Sequence, residues 1–213
     1  MTTLILERHA ESMANLACVF AGQSYHDLTP KGRQQAELTA CHIAAHYPID
    51  MIIASDLPRT RQTAAPVSEK TGLAVHTDPE LREILAGDWE GVTFDRLAEL
   101  YPEKYARWVH DIGNASCPGG ESAADLSRRI LAALTRIAEE NDGKTVLVVT
   151  HATPIRAAVC AFSGRPVSEM KDIPWVSNAS LTTVEYENGH WNLVKVDENE
   201  HLAELCTALP DNV

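Results

Sequence analysis

The 213-residue sequence lacks several features of membrane and secreted proteins. No apolar run approaches the roughly twenty residues that cross a bilayer, and the N-terminus has no basic stretch followed by an apolar one. The cysteines are few, odd in number at five, scattered, and without a CxxC pair. They are typical of reduced thiols and disfavour a disulfide framework or a thiolate zinc site. We therefore expect a cytoplasmic protein.

Basic residues are also scarce, since 18 Lys and Arg stand against 30 Asp and Glu, for a formal net charge of −12. Such an acidic surface disfavours nucleic acid and anionic membranes as partners. An anionic small molecule would need a local cluster of Arg and His side chains to bind against this overall charge.

Metal-binding patterns are missing as well. The sequence has no Walker-type glycine loop, DxD pair or carboxylate cluster that would suggest Mg²⁺. His42 and His46 lie four residues apart on a predicted helix, a spacing that could hold a metal, but neither a HExxH pattern nor a third ligand accompanies them. We expect a solvated helix face there, no metal site and no cofactor.

What the sequence does contain is an alternation of short apolar runs and helical patterns, which predicts one α/β domain over residues 1–213. Apolar runs bounded by polar residues suit buried strands of a parallel sheet, and Asn188-Gly189 indicates a β-hairpin. Thr29-Pro30 marks a helix start, as does the Ser122 and Asp125 capping pattern. The predicted strands cover residues 4–6, 50–54, 74–77, 144–150, 181–186 and 191–196; the predicted helices cover 30–46, about 57–72, one or two segments within 93–111, 122 to just before 143, 154–162 and 202–209.

Charged side chains follow the predicted strands directly. Arg8 and His9 end the first strand, His151 ends the fourth, and Arg59 lies in the first turn of the helix after the second. Ligands in open α/β sheets bind beyond the carboxyl ends of the strands. Arginine forks and imidazoles suit a phosphoryl group, whose oxygens need several donors at once. Without a metal, phosphoryl transfer needs a protein nucleophile, and histidine is favoured because no C-x5-R loop is present.

A proton donor is expected in the acidic segment from residue 80 to 91, if burial raises the pKa of one carboxyl. Spacing alone does not choose between Glu80, Glu83 and Glu90. The aromatic residues that follow, among them Tyr101, Tyr105 and Trp108, have the spacing of core residues, and a lid over the site is the alternative.

Five sequence motifs follow one another along the chain. They are Arg8-His9-Ala10-Glu11-Ser12-Met13-Ala14-Asn15, Gly22 with Leu28 to Ala36, Ser55-Asp56-Leu57-Pro58-Arg59-Thr60-Arg61-Gln62-Thr63-Ala64, Leu81-Arg82-Glu83 with Gly87, Trp89, Glu90 and Gly91, and Val149-Thr150-His151-Ala152. Each motif is weak alone, but the five in this order and at these spacings resemble the histidine phosphatase superfamily, also called phosphoglycerate mutase-like, over almost the whole chain.

The resemblance implies a three-layer α/β/α fold with a mostly parallel central sheet, and a role for each matching residue. His9 would become a phosphohistidine and Glu83 would protonate the leaving oxygen. A small phosphorylated metabolite is the implied partner. The implied catalytic residues are Arg8, His9, Arg59, Glu83 and His151, and the implied substrate-binding residues are Asn15, Ala21, Gly22 and Ala152.

Two departures and one open choice accompany the resemblance. Alanines, Ala10 and Ala152, replace the family glycines beside the histidines, which would strain the backbone only at positive φ. The usual Gly-Trp-x-Asp of the family is Gly22-Gln23-Ser24-Tyr25 here, so a different substrate contact is expected there. The chain lacks the segment that cofactor-dependent mutases insert before the second histidine, and its CPGGES turn at residues 117–122 resembles phosphatase branches. We expect a phosphatase; mutase-type transfer and a weak phosphate-binding relative are the alternatives. Residues 84–119 are the expected lid and specificity segment. The predicted C-terminal hairpin would supply a sheet edge through which a homodimer could form.

Overall fold

A six-stranded mixed sheet lies at the centre of the computed structural model, which describes residues 1–207. The strands are β1 (Thr2–Arg8), β2 (Met51–Ala54), β3 (Val75–Thr77), β4 (Thr145–Thr150), β5 (Leu181–Glu187) and β6 (His190–Glu198), and their order across the sheet is β3-β2-β4-β1-β5-β6. The β3-β2, β2-β4 and β4-β1 pairs are parallel, whereas β5 and β6 add an antiparallel hairpin at one edge. This confirms the predicted mostly parallel sheet.

Helices cover both faces of the sheet, as in the expected three-layer fold. The side chains of β1 point alternately to the two faces of the sheet. Leu4 and Leu6 belong to one apolar cluster, and Ile5 belongs to a second. The helices are α1 (Met13–Leu16), α2 (Pro30–His46), α3 (Pro58–Thr71), α4 (Phe94–Leu100), α5 (Pro102–His110), α6 (Ala123–Glu140) and α7 (Ala152–Phe162), with α2 and α3 contributing to the Ile5 cluster and α4–α7 to the Leu4 cluster.

Local signals account for most helix ends. The Thr29 side chain accepts the Gly32 N–H ahead of α2, and Ser122 and Asp125 form a reciprocal capping box ahead of α6.

Helix α7 begins at Ala152, two residues before the predicted start at Pro154. The predicted helix 202–209 is wrong over the described part, where the chain forms a 3₁₀ segment, Glu200–Leu205, interrupted at Ala203; residues 208–209 lie outside the described residues.

The segment between β3 and α6 has little regular structure outside two helices, and a few fully buried side chains such as Leu81 and Trp89 fix it to the core. It contains short 3₁₀ turns at Pro79–Leu81, Gly87–Trp89 and Ile112–Asn114 as well as α4 and α5. Tyr105 and Trp108 are buried in the core, as the default interpretation expected. Across residues 1–207, none of the helices combines the length and apolarity needed to cross a membrane.

Candidate active site

The register of β1 and β4 brings the two strand-end histidines together. Arg8 lies opposite Thr150, and the His9 N–H donates to the Thr150 carbonyl at 2.9 Å. The rings of His9 and His151 consequently meet edge to face, with 5.2 Å between their centroids. Parallel strands thus place the predicted residues at one edge of the sheet.

The His9 imidazole is fixed in one tautomer by its own chain. Its Nδ1 lies 2.8 Å from the Ala10 carbonyl, which can only accept, so Nδ1 carries the hydrogen and Nε2 keeps its lone pair. Burial, together with the charges of Arg59 and Arg8, holds the pKa of His9 well below its usual range. The Asn178 side chain donates to the His9 carbonyl at 2.9 Å. His9 is therefore a neutral, oriented imidazole at neutral pH.

Two buried guanidinium groups stand beside His9. Arg8 donates through Nη1 to the Val176 carbonyl, and Arg59 donates to the carbonyls of Ser24 (2.9 Å) and Gly22 (2.8 Å). The Nε atoms of both arginines are buried and have no partner within residues 1–207. Burial lowers the pKa of each to about 10, so both stay cationic at neutral pH. They offer charged donors to an oxyanion.

The structure separates the three candidate carboxylates. Glu83 is buried at the cleft and accepts the N–H of Ile84 (2.8 Å) and, on its other oxygen, that of Thr153 (3.2 Å). Burial raises the pKa of Glu83, although these N–H donors and Arg59 oppose it. Glu80 is exposed. Only Glu83 among the three lines the cleft, in a state suited to proton donation.

Glu90 instead supports the loop that Arg59 contacts. Its carboxylate accepts the N–H groups of Gly22 and Gln23, both at 2.9 Å, and the hydroxyl of Ser24. The backbone groups of Gly22, expected to face the phosphate, are therefore engaged by Glu90 and Arg59. A side chain at Gly22 would also meet the Ile84 carbonyl at 2.5 Å, which explains the glycine. Sequence reasoning missed this supporting role of Glu90.

His151 lies behind His9, fully buried. Its Nε2 lies 2.9 Å from the Ser55 hydroxyl, and its Nδ1 has no partner within the described residues. Burial, Arg59 and His9 hold its pKa well below the usual value, so the ring is neutral. Helix α7 starts directly after it, with Ala152 and Thr153 at the cleft.

These groups open into a cleft of about 540 Å³. Seven predicted site residues line it: Arg8, His9, Asn15, Ala21, Arg59, Glu83 and Ala152. Sequence reasoning did not assign to the site the other lining residues, which are Ser12, Val19, Phe20, Ile84, Phe94, Thr153 and Trp175, and it left Trp108 between packing and substrate contact. Phe20 and Thr153 adjoin predicted residues and could have been inferred, whereas Trp175 lies in a loop without a motif.

Comparison with known proteins agrees with this geometry. The family model of the histidine phosphatase superfamily (branch 1) matches residues 4–199. The chain belongs to this superfamily. It is 33% identical to phosphoserine phosphatase 1 of Hydrogenobacter thermophilus over 96% of both chains, and 34% identical to the probable phosphoglycerate mutase GpmB of Yersinia pestis over 90% of this chain and 88% of that one. The structure of this chain is similar to that of Bacillus stearothermophilus YhfR. The TM-score is 0.90, the sequence identity is 29%, and the match covers 95% of this chain and 100% of YhfR.

The two alanines of this histidine phosphatase fit its backbone without strain. Neither Ala10 nor Ala152 has positive φ, and Ala152 is the first residue of α7. Ala10 is fully buried and packs with Leu28 and Ala36. The replacement of the family glycines therefore strains the backbone at neither position.

Clusters that could hold a metal are not found in the described part of this enzyme, residues 1–207. His42 stacks on His46 at 4.4 Å and on His201 at 4.6 Å between ring centroids, and its Nε2 lies 3.0 Å from Glu198. The predicted solvated face is thus partly covered by the C-terminal segment.

Proposed function

We propose that this histidine phosphatase hydrolyses small-molecule phosphate monoesters without a metal ion, through a phosphohistidine on His9. The observation that carries the proposal is the state of His9, a neutral imidazole with a free Nε2 lone pair between two buried arginines and a carboxyl of raised pKa. A nucleophile, charge neutralisation and a proton donor are the three things that phosphoryl transfer to a protein side chain requires.

In the first step, the lone pair of His9 Nε2 attacks phosphorus, and the bond from phosphorus to the alcohol oxygen breaks. Arg8 and Arg59 stabilise the charge on the phosphoryl oxygens, and His151 donates to them through Nδ1. Glu83 transfers its proton to the leaving oxygen, so the alcohol leaves neutral and Glu83 becomes a carboxylate.

In the second step, a water molecule attacks the phosphohistidine. Glu83 now accepts a proton from that water, the bond from phosphorus to Nε2 breaks, and inorganic phosphate is released. This returns Glu83 to its protonated form and His9 to its neutral form, so one catalytic cycle consumes one water.

Hydrolysis is favoured over the two alternatives by separate observations. A protein that only binds phosphate has no use for a buried carboxyl of raised pKa beside the nucleophile, and Glu83 is such a group. Mutase-type transfer would need the alcohol product or a bisphosphate primer to be retained, and the absent mutase insertion speaks against this.

The test is hydrolysis of 4-nitrophenyl phosphate in excess EDTA by wild type and His9→Ala, with chemical trapping of the phosphoenzyme. We expect metal-independent turnover and an acid-labile phosphohistidine in the wild type only. Turnover that EDTA abolishes, or that survives His9→Ala, would contradict the proposal. Transfer of the phosphoryl group to 3-phosphoglycerate in preference to water would support the mutase alternative.

A further inference from the structure

Apart from the groups that act on phosphate, the cleft is lined mainly by apolar side chains. The charged side chains among its lining within residues 1–207 are Arg8, Arg59 and Glu83, and each is needed at the phosphoryl group. The large apolar lining residues are Val19, Phe20, Ile84, Phe94, Trp108 and Trp175. The part of the substrate that leaves as an alcohol therefore meets a largely hydrocarbon surface.

Three of these residues form an aromatic wall: Phe20, Phe94 and Trp108. Phe20 meets Trp108 edge to face at 5.0 Å and Phe94 at 6.4 Å between ring centroids. Behind them, Phe20 also packs on fully buried Trp89 at 5.4 Å. Edge-to-face packing against a filled core holds the wall in place. The apolar surface is preformed and does not need a ligand to create it.

A cation close to the cleft, Arg156, is engaged by other groups of the protein. The guanidinium carbon of Arg156 lies 4.3 Å from the centroid of the Trp175 ring, and Arg156 does not line the cleft. Arg156 also donates to the carbonyls of Ile173 (2.6 Å) and Lys171 (3.1 Å). The charge of Arg156 is therefore engaged by the ring and by backbone carbonyls. Trp175, and not Arg156, lines the cleft.

We propose that the alcohol part of the substrate is uncharged and apolar, carrying an aromatic ring or an alkyl chain; this inference rests on the proposed phosphatase function. Contact with the wall removes apolar surface from water, which favours binding. A carboxylate or ammonium group, as in phosphoserine or phosphoglycerate, would lose water without gaining an ionic partner in the lining, which opposes binding. The net charge of −12 disfavours a second anionic group further.

The test compares substrates whose leaving groups are all aliphatic alcohols, so that intrinsic reactivity is similar. We expect kcat/KM for 2-phenylethyl phosphate to exceed that for phosphoserine and 3-phosphoglycerate by at least about tenfold, mainly through KM. Equal or higher kcat/KM for either charged substrate would overturn the inference and leave the phosphatase function standing. No turnover of any substrate, with no phosphohistidine, would overturn both.

Substitutions in the aromatic wall test whether it contributes to the choice between substrates. Phe94→Ala should lower the ratio of kcat/KM for 2-phenylethyl phosphate over glycerol 3-phosphate severalfold. Leu100→Ala is the matched control, since Leu100 is 53% exposed at the other end of α4 and does not line the cleft. Phe94→Arg should shift preference towards 3-phosphoglycerate. If Phe94→Ala lowers kcat/KM for all substrates equally, the wall is only structural and the inference is wrong.

Discussion

The Nε2 atom of His151 lies 2.9 Å from the Ser55 hydroxyl, and both side chains are fully buried. Ser55 Oγ accepts the Leu57 N–H at 3.5 Å, and within residues 1–207 its own hydrogen has no acceptor other than His151 Nε2, so we infer that Ser55 donates to His151. This assigns the tautomer of His151, because an accepting Nε2 places the hydrogen on Nδ1. In the proposed mechanism, Ser55 after β2 would thereby leave His151 after β4 with a hydrogen on Nδ1 for a phosphoryl oxygen.

Ser55→Ala removes the hydroxyl that fixes this tautomer. We expect kcat/KM to fall about tenfold, the equivalent of one hydrogen bond, with phosphohistidine formation slowed in single-turnover measurements. Ser68→Ala is the control, because the Ser68 hydroxyl bonds the Leu73 carbonyl near the far end of α3. An unchanged rate of phosphohistidine formation in Ser55→Ala would show that His151 does not depend on Ser55.

In the proposed mechanism, the raised pKa of Glu83 determines the alkaline side of the pH profile. Glu83 must be protonated for the first step, so kcat/KM should fall as pH rises through its pKa; on the acidic side, activity persists down to the lowered pKa of His9. Glu83→Gln cannot donate this proton. We expect about 10²–10⁴-fold loss with an alkyl phosphate and a smaller loss in phosphohistidine formation with 4-nitrophenyl phosphate, whose leaving group needs no proton. Equal losses with both substrates would contradict the assignment.

A second buried carboxyl, Glu7, predicts a pH-dependent stability. Glu7 is fully buried in β1 between Val149 and Leu181, neither carboxyl oxygen has a partner within residues 1–207, and burial raises its pKa well above the usual value. The folded state thus holds a proton that the unfolded chain releases above about pH 4.3, so this group reduces stability as pH rises from there towards its folded pKa.

Glu7→Leu replaces this carboxyl with an apolar side chain of similar size. We expect a gain of about 1–3 kcal/mol in the free energy of unfolding, larger at pH 8 than at pH 5, measured by urea denaturation at both values. Glu187→Leu, at the exposed end of β5, is the control and should show no such pH-dependent gain. A gain that is independent of pH would mean that Glu7 is ionised in the folded protein.

Prediction from the sequence succeeded where the signal is local. The apolar runs that end at Arg8-His9 and at His151 located the carboxyl ends of two central parallel strands. Thr29-Pro30 located the start of α2. Choosing Glu83 needed a family motif, because its pKa depends on burial and on the distant Thr153 amide. Contacts between separate segments, such as Ser55 with His151 and Trp175 with Arg156, leave no periodic pattern in the sequence.

The start of α7 shows the limit of a local rule. Proline favours the first helical position, and the sequence predicts a helix that begins at Pro154. Proline also fits within the first turn, where its missing N–H has no intrahelical partner to lose. In the structure α7 begins at Ala152, beside the candidate active site, and Pro154 lies within its first turn.

The alanines at the two family glycine positions should be the better residues in this backbone. Because neither Ala10 nor Ala152 has positive φ, the substitutions Ala10→Gly and Ala152→Gly relieve no backbone strain. We expect unchanged or lower kcat/KM and a loss of up to about 1 kcal/mol in stability for each variant, measured by thermal denaturation and steady-state kinetics. Higher activity in either variant would show that the methyl group obstructs the phosphate site.

Glu90 and Arg59 hold the loop from Gly22 to Ser24 from its two sides, since Glu90 accepts N–H groups and Arg59 donates to carbonyls. Glu90→Gln keeps one acceptor oxygen but turns an NH₂ group towards backbone donors, which leaves at least one donor unpaired. The loop should then shift and release Arg59 from its position beside His9. We expect KM to rise and kcat/KM to fall about tenfold, whereas Glu80→Gln, on the exposed 3₁₀ turn, should match the wild type. Wild-type kinetics in Glu90→Gln would show that Arg59 is positioned without Glu90.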